Sequence, residues 1–153
     1  MRIIVDGDNC SSLPIIISLA KEKNIKVLVF CDYNHLIKCE YATIIYNDEG
    51  FNRTDLVIYN NLEKDDILIT NDIGLAGLAL IKCRCVITNY GKIYNSKNIN
   101  TALLMRNDVQ RLRHKKKKVK TQRLNEHHNF ATSLTKEISK GERLCMLEKE
   151  MHT

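Results

Sequence analysis

The sequence predicts an α/β fold, a mostly parallel sheet of about five strands flanked by helices, with a helical C-terminal extension. Three observations predict it. Short apolar, β-branched runs recur along the chain, and each is closed by Asp, Asn or Gly. Between them lie segments with helix caps and apolar residues at helical spacing. Residues 26–31 (KVLVFC) are apolar almost throughout, as a strand covered on both faces must be.

The first strand is expected over 2–6, where Ile3, Ile4 and Val5 favour extended backbone and Asp6-Gly7-Asp8 stops it. Ser11 or Ser12 can cap the helix that follows, and Pro14 falls in its first turn, where the missing N–H costs nothing. That helix runs over 13–24 and turns Ile16, Leu19 and Ala20 inward. The KVLVFC strand ends on Asp32, and 34–40 is unpatterned loop or one helical turn. Residues 41–46 (YATIIY) form the third strand. Thr54 is the candidate cap of a short helix reaching Leu62.

Residues 66–70 (DILIT) are the fourth strand, and Asn71 is the candidate cap of a helix over 72–82. Its composition is apolar nearly all round, which predicts burial, and Gly74 and Gly77 predict a close approach by another element. Residues 84–88 are the fifth strand and 89–94 a small hairpin or turn. A longer helix starts at Asn98 and runs into a basic stretch. A weaker one covers 124–138 through Leu124, Phe130, Leu134 and Ile138, and the polar end, 139–153, is expected to fray.

Composition narrows the function. The chain of 153 residues has 44% hydrophobic and 27% charged residues, as a globular domain does. No apolar run approaches the ~20 residues of a membrane span, and Met1-Arg2 leads straight into a strand rather than a signal sequence. Six cysteines without a CxxC pair predict reduced thiols and a cytoplasmic location. The net charge of +6 is unevenly spread, since residues 106–123 hold nine Lys or Arg against one acid, Asp108. The remainder is close to neutral. Arg106, Arg111, Arg113, Lys115, Lys116, Lys117 and Lys118 are therefore candidate contacts to nucleic-acid phosphates, against the plainer reading of a solvated charged loop.

Parallel strands alternating with helices bring every strand end and following helix start to one edge of the sheet. Asp6 and Asp8 follow the first strand, Asp32 ends the second, Asp55 opens the helix after the third, and Asp72 the helix after the fourth. Any one of them could be a turn former or a helix-end charge, the latter worth about 0.3–1 kcal/mol. Together they predict a metal or phosphate site, and clustered carboxylates suit a hard cation, Mg²⁺ or Mn²⁺.

Four blocks carry a family resemblance: DGDNC over 6–10, GFNRTD over 50–55, DILITNDIGLA over 66–76, and Asn98-Ile99 with Arg106. With these the chain resembles the bacterial YaiI/YqxD family, described as PIN-like in fold, over about residues 1–113 and more loosely around Phe130 and Leu134. The resemblance implies a PIN-like α/β domain at 1–113, with 114–153 a basic loop, a helix and a polar tail packed on it or trailing from it. By analogy with PIN nucleases, Asp6, Asp55 and Asp72 would be catalytic, holding a metal or orienting water, with Asp8 as a further ligand. The chain departs from the family pattern at Asn52, where an Asp is usual, which favours one metal over two. Its Asn89-Tyr90-Gly91-Lys92 turn replaces Asn-Pro-Arg-Gly and leaves Lys92 as the substitute for a phosphate-binding arginine.

The expectation is thus a Mg²⁺- or Mn²⁺-dependent phosphodiesterase, with RNA ranked ahead of DNA and no membrane partner. The alternative is a non-catalytic nucleic-acid-binding protein that keeps the fold. A phosphatase of the haloacid dehalogenase type ranks last: it shares the Asp-x-Asp loop, but no cap insertion is evident. Aromatic content of 6% offers no clear platform for stacking bases.

Overall fold

The computed structural model describes residues 1–33, 36–47, 53–113 and 126–152. Its strands are β1 (Ile3–Asp6), β2 (Val27–Asp32), β3 (Thr43–Asn47), β4 (Ile67–Ile69), β5 (Cys85–Ile87) and β6 (Ile93–Tyr94). They form one sheet in the order β3-β2-β1-β4-β5-β6. All neighbours are parallel except β6, which lies antiparallel on β5. The expected hairpin at 89–94 thus adds a sixth strand, and the architecture is consistent with a PIN-like fold. Gly91 makes the turn, at φ 88°, and a Cβ there would stand 2.5 Å from the carbonyl carbon of Asn129. Only glycine meets both demands without strain.

The two-residue period of the strands sorts the core onto two faces. Ile3, Val5, Val27, Val29, Ile67 and Ile69 point one way, toward α1 (Leu13–Lys23) and α5 (Glu126–Met151). Ile4, Leu28, Phe30, Leu68 and Val86 point the other, toward α2 (Arg53–Asn61), α3 (Ile73–Ala79) and α4 (Ile99–Arg113). Helix α5 is an integral wall of the first face. Its Phe130, Leu134 and Ile138 are 0%, 0% and 1% exposed, and such burial stabilises by about 1.5–3 kcal/mol per side chain.

Several boundaries differ from the sequence reading, each for a physical reason. The expected frayed tail is helical to Met151, although Leu144, Met146, Leu147 and Met151 are exposed. Beyond Ile138 the helix is sustained by good helix formers (Lys, Glu, Arg, Leu, Met) rather than by burial. Helix α3 is shorter than expected and is not buried all round: Leu78 and Ile81, just beyond its end, are exposed. Its cap is Asp72 rather than Asn71, and Thr54 lies inside the first turn of α2 rather than capping it. Ser12 occupies the N-cap position of α1 but spends its hydroxyl on the carbonyl of Asn89, 2.9 Å away. Gly77 does permit a close approach, since a Cβ there would touch Leu103 of α4 at 3.3 Å.

Candidate functional site

The strand order fixes where a site can form. From β1 the chain moves outward through β2 and β3, then returns to the other side of β1 at β4. Helix α1 leaves β1 on one face and α3 leaves β4 on the opposite face, so the two loops part and leave a crevice at the carboxyl edge. A cavity of about 210 Å³ lies there, lined by Asp6, Asp8, Asp55, Asn71, Asp72 and Asn89.

Four stretches of backbone supply the lining residues. Asp6 is the last residue of β1, and Asp8 sits in the 3-10 turn Gly7–Asn9. Gly7 has no room for a side chain, as a Cβ would stand 2.7 Å from Val29 Cγ1. Asp55 lies in the first turn of α2, and Asn71-Asp72 join β4 to α3. The Thr70 hydroxyl ties two of these segments together: it donates to Asp6 Oδ2 at 2.8 Å and accepts from the Asp72 N–H at 3.1 Å. Asp72 Oδ1 accepts from the N–H groups of Gly74 (2.7 Å) and Leu75 (3.1 Å), closing the start of α3. Asp8 Oδ1 accepts from the Asp32 N–H at 3.0 Å. Asp32 therefore contributes backbone and is not among the residues lining the cavity.

The electrostatics are unfavourable by construction. Burial raises the Asp6 carboxyl to about 6, reinforced by the charges of Asp8, Asp55 and Asp72 and opposed by the Thr70 hydrogen bond. Asp55 is also raised, by burial and then by Asp72 and Asp8. Four carboxylates and two amides are hard oxygen donors, the set that suits Mg²⁺ or Mn²⁺. As the side chains stand, no three acidic, histidine or cysteine residues among those described are grouped tightly enough to hold one ion. The donor chemistry fits a cation, and the carboxylates would have to draw inward to share one.

The four expected aspartates line one cavity, and of the two basic candidates whose side chains are described, Arg106 and Lys92, only Arg106 borders it. Arg106 reaches the rim of the site, with Nη1 3.8 Å from Asp72 Oδ1. Lys92 is on the β5–β6 turn, its ammonium over the Tyr94 ring at 5.1 Å, and is not part of the cavity wall. Arg111 and Arg113 continue α4, while Lys115 to Lys118 and Asn52 lie outside the described residues.

Sequence reasoning missed Thr70 and Asn89 and took Asn71 only as a cap. Asn71 Oδ1 accepts from the Asn89 N–H at 2.9 Å, and Asn89 Oδ1 accepts from the Cys10 thiol at 3.4 Å, so these residues stitch three loops of the rim. Their signal was position, since each lies within two residues of a strand end. Cys10 stays a structural group: burial pushes its thiol up to about 11, far from the thiolate a nucleophile needs.

The chain matches the family model described as "Uncharacterized BCR, YaiI/YqxD family" over residues 4–140. It is similar to a UPF0178 protein of Natranaerobius thermophilus, 39% identical over 140 residues, covering 90% of this chain and 95% of that protein. It is also similar to UPF0178 proteins of Clostridium perfringens (39% identical) and Clostridium tetani (40%), over 113 residues and 74% of this chain, covering 76% and 77% of those proteins. No solved structure matches it.

Proposed function

The chain belongs to the YaiI/YqxD family, and we propose that it is a metal-dependent phosphodiesterase acting on nucleic acid, with RNA the leading substrate. The observation that carries this reading is the convergence of Asp6, Asp8, Asp55 and Asp72 on one cavity at the point where the strand order reverses. A cluster that raises Asp6 to about 6 is a poor way to stabilise a fold and a good way to receive a cation. RNA is put ahead of DNA by the resemblance to PIN-like nucleases.

Bound there, Mg²⁺ or Mn²⁺ would supply Lewis-acid chemistry, acidifying water and stabilising charge at phosphorus. Asp6, Asp55 and Asp72 would hold it, with Asp8 as a further ligand. The Thr70 hydroxyl ties the Asp6 carboxylate to the backbone of Asp72, so both stay at one edge of the site. Arg106, at the mouth, offers its guanidinium to a phosphate oxygen. Lys92, Arg111, Arg113 and the lysines 115–118 would grip the backbone without reading sequence.

The test compares wild type with Asp6→Asn on labelled single-stranded RNA, in Mg²⁺ or Mn²⁺ and with EDTA as control. Asp6→Asn should abolish cation-dependent cleavage while keeping or raising RNA affinity, because one repulsive charge is gone. Cleavage persisting in Asp6→Asn at the same rate would mark a contaminating nuclease and sink the assignment. A wild type that binds RNA and cuts nothing with either cation would leave the non-catalytic binding protein as the better account.

A further inference from the structure

Beside the acidic cavity runs a second depression of about 590 Å³, between α2, α3 and α4, and the two share Asp55 and Asp72. We propose that this groove is a nucleobase site. It takes the unpaired base of the nucleotide next to the cut phosphate, and so selects single strands. The inference rests on the phosphodiesterase reading for the identity of its ligand, and the experiment below separates the two.

The walls of the groove have the right chemistry for a base. Leu56 of α2 and Leu78 of α3 stand on it 59% and 57% exposed. Each helix has already buried its inner face, through Ile58 on α2 and through Leu75, Ala76 and Ala79 on α3, so these two leucines serve no core. Apolar side chains left on facing walls of one groove mark a binding surface more than scattered exposure does. Tyr59 adds an aromatic ring to the same wall. Lys82 holds that tyrosine, with its ammonium 4.8 Å from the ring centroid and donating to the Tyr59 carbonyl at 2.9 Å. The volume lies in the range of small-molecule sites, about 300–1,000 Å³.

The polar end of the groove says what joins the base. Arg106 comes from α4 across the start of α3, and Gly74 makes room for it: a Cβ there would stand 3.1 Å from Arg106 Nη1. Its side chain is 41% exposed at the boundary between groove and acidic cavity. A ligand lying across that boundary needs an anionic group for the guanidinium and a flat apolar group for the leucines and Tyr59. A nucleotide has both. A base stacked and paired within a duplex cannot enter, whereas an unpaired one enters without first breaking a pair.

The test uses the full chain in EDTA, so that nothing is cut, with fluorescence anisotropy as readout. The probes are a short oligouridylate, an abasic ribose-phosphate oligomer of the same length, and a paired duplex. Wild type should bind the oligouridylate tighter than the abasic oligomer by about 5- to 150-fold, the range for one base on such a platform. The duplex should behave like the abasic oligomer. The double variant Leu56→Ser with Tyr59→Ser should bring the difference under about 2-fold and leave abasic affinity unchanged, with a thermal melt showing that it folds. Equal binding of both oligomers by wild type, binding of neither, or a base preference that survives the double variant would overturn the proposal. Cation-dependent cleavage without base preference would sink the groove and leave the phosphodiesterase standing. Base preference lost in the double variant, with no cleavage by wild type, would keep the groove and sink the enzyme.

Discussion

Two partly or fully buried carboxylates at opposite edges of the same sheet are treated in opposite ways. Asp66, just before β4 at the amino edge, is 1% exposed and has its countercharge. Arg2 donates to it from Nε at 3.1 Å and Nη2 at 2.6 Å, and the Glu63 N–H adds a bond at 2.8 Å. Asp6, at the carboxyl edge, receives the Thr70 hydroxyl at 2.8 Å and otherwise meets three carboxylates, which join burial in raising it to about 6. One edge is built to hold the fold together. The other gathers four carboxylates against, among the described residues, the guanidinium of Arg106, and local rules are broken in this way where a site needs them broken.

The largest expected effect breaks the balanced edge. Arg2→Ala leaves the buried Asp66 carboxylate without its countercharge and also removes the Arg2 bond to the Asn61 carbonyl, 2.8 Å long. Losing one partner of a buried ion pair costs about 3–5 kcal/mol. Urea unfolding should show that loss. A change under about 1 kcal/mol would mean that the pair is no more than a surface salt bridge and that the contrast between the edges is false.

The next effect sharpens the other edge. If the acidic cavity takes a cation, Mg²⁺ or Mn²⁺ at about 100 times its Kd stabilises the folded state by about 2.7 kcal/mol. Asp6→Asn should lose most of that gain. Wild-type melting that ignores both cations would remove them from the cavity and leave its carboxylates without a ligand.

A similar effect appears without metal. The folded Asp6 carboxyl titrates near 6 against an ordinary 3.8, so the folded state binds the proton more tightly than the unfolded one. Stability from this group is therefore full below the lower value, is lost as pH rises through the window, and stays lost above it. Asp6→Asn removes that dependence. It should gain on the order of 2–3 kcal/mol over wild type at neutral pH and nothing at about pH 3, below both values. A gain of the same size at both would assign the effect to packing rather than charge.

The balanced edge was invisible in the sequence and the unbalanced one was not. Asp6, Asp8, Asp55 and Asp72 were legible because parallel topology alone sends strand ends to one edge. Arg2 and Asp66 are 64 residues apart, and they meet only because β1 and β4 pair with Ile3 opposite Ile67. That register requires the strand order, which local patterns do not carry. Asn71 and Asp72 are both good caps, so sequence could not choose between them. The outer half of α5 was misread because its stability is intrinsic, with no buried stripe to announce it. Leu56 and Tyr59 line a groove that nothing in the local pattern of their short helix announces.

The smallest expected effect tests the link inside the unbalanced edge. Thr70 is 2% exposed, and its hydroxyl both donates to Asp6 and accepts from the Asp72 N–H. Thr70→Val keeps the shape and removes both bonds, at a net cost of about 1 kcal/mol. The pH dependence of that cost identifies its origin. The hydrogen bond from Thr70 lowers the Asp6 carboxyl, so removing it should carry the titration above about 6 and extend the range over which stability falls. The cost should then be larger at about pH 8, where Asp6 is charged and the hydroxyl solvates it, than at about pH 4, where it is neutral. Parallel urea melts of Thr70→Val and wild type at both values decide it. An equal cost at both would show the hydroxyl serving only the Asp72 backbone, and Asp6 would then face its neighbours without help from β4.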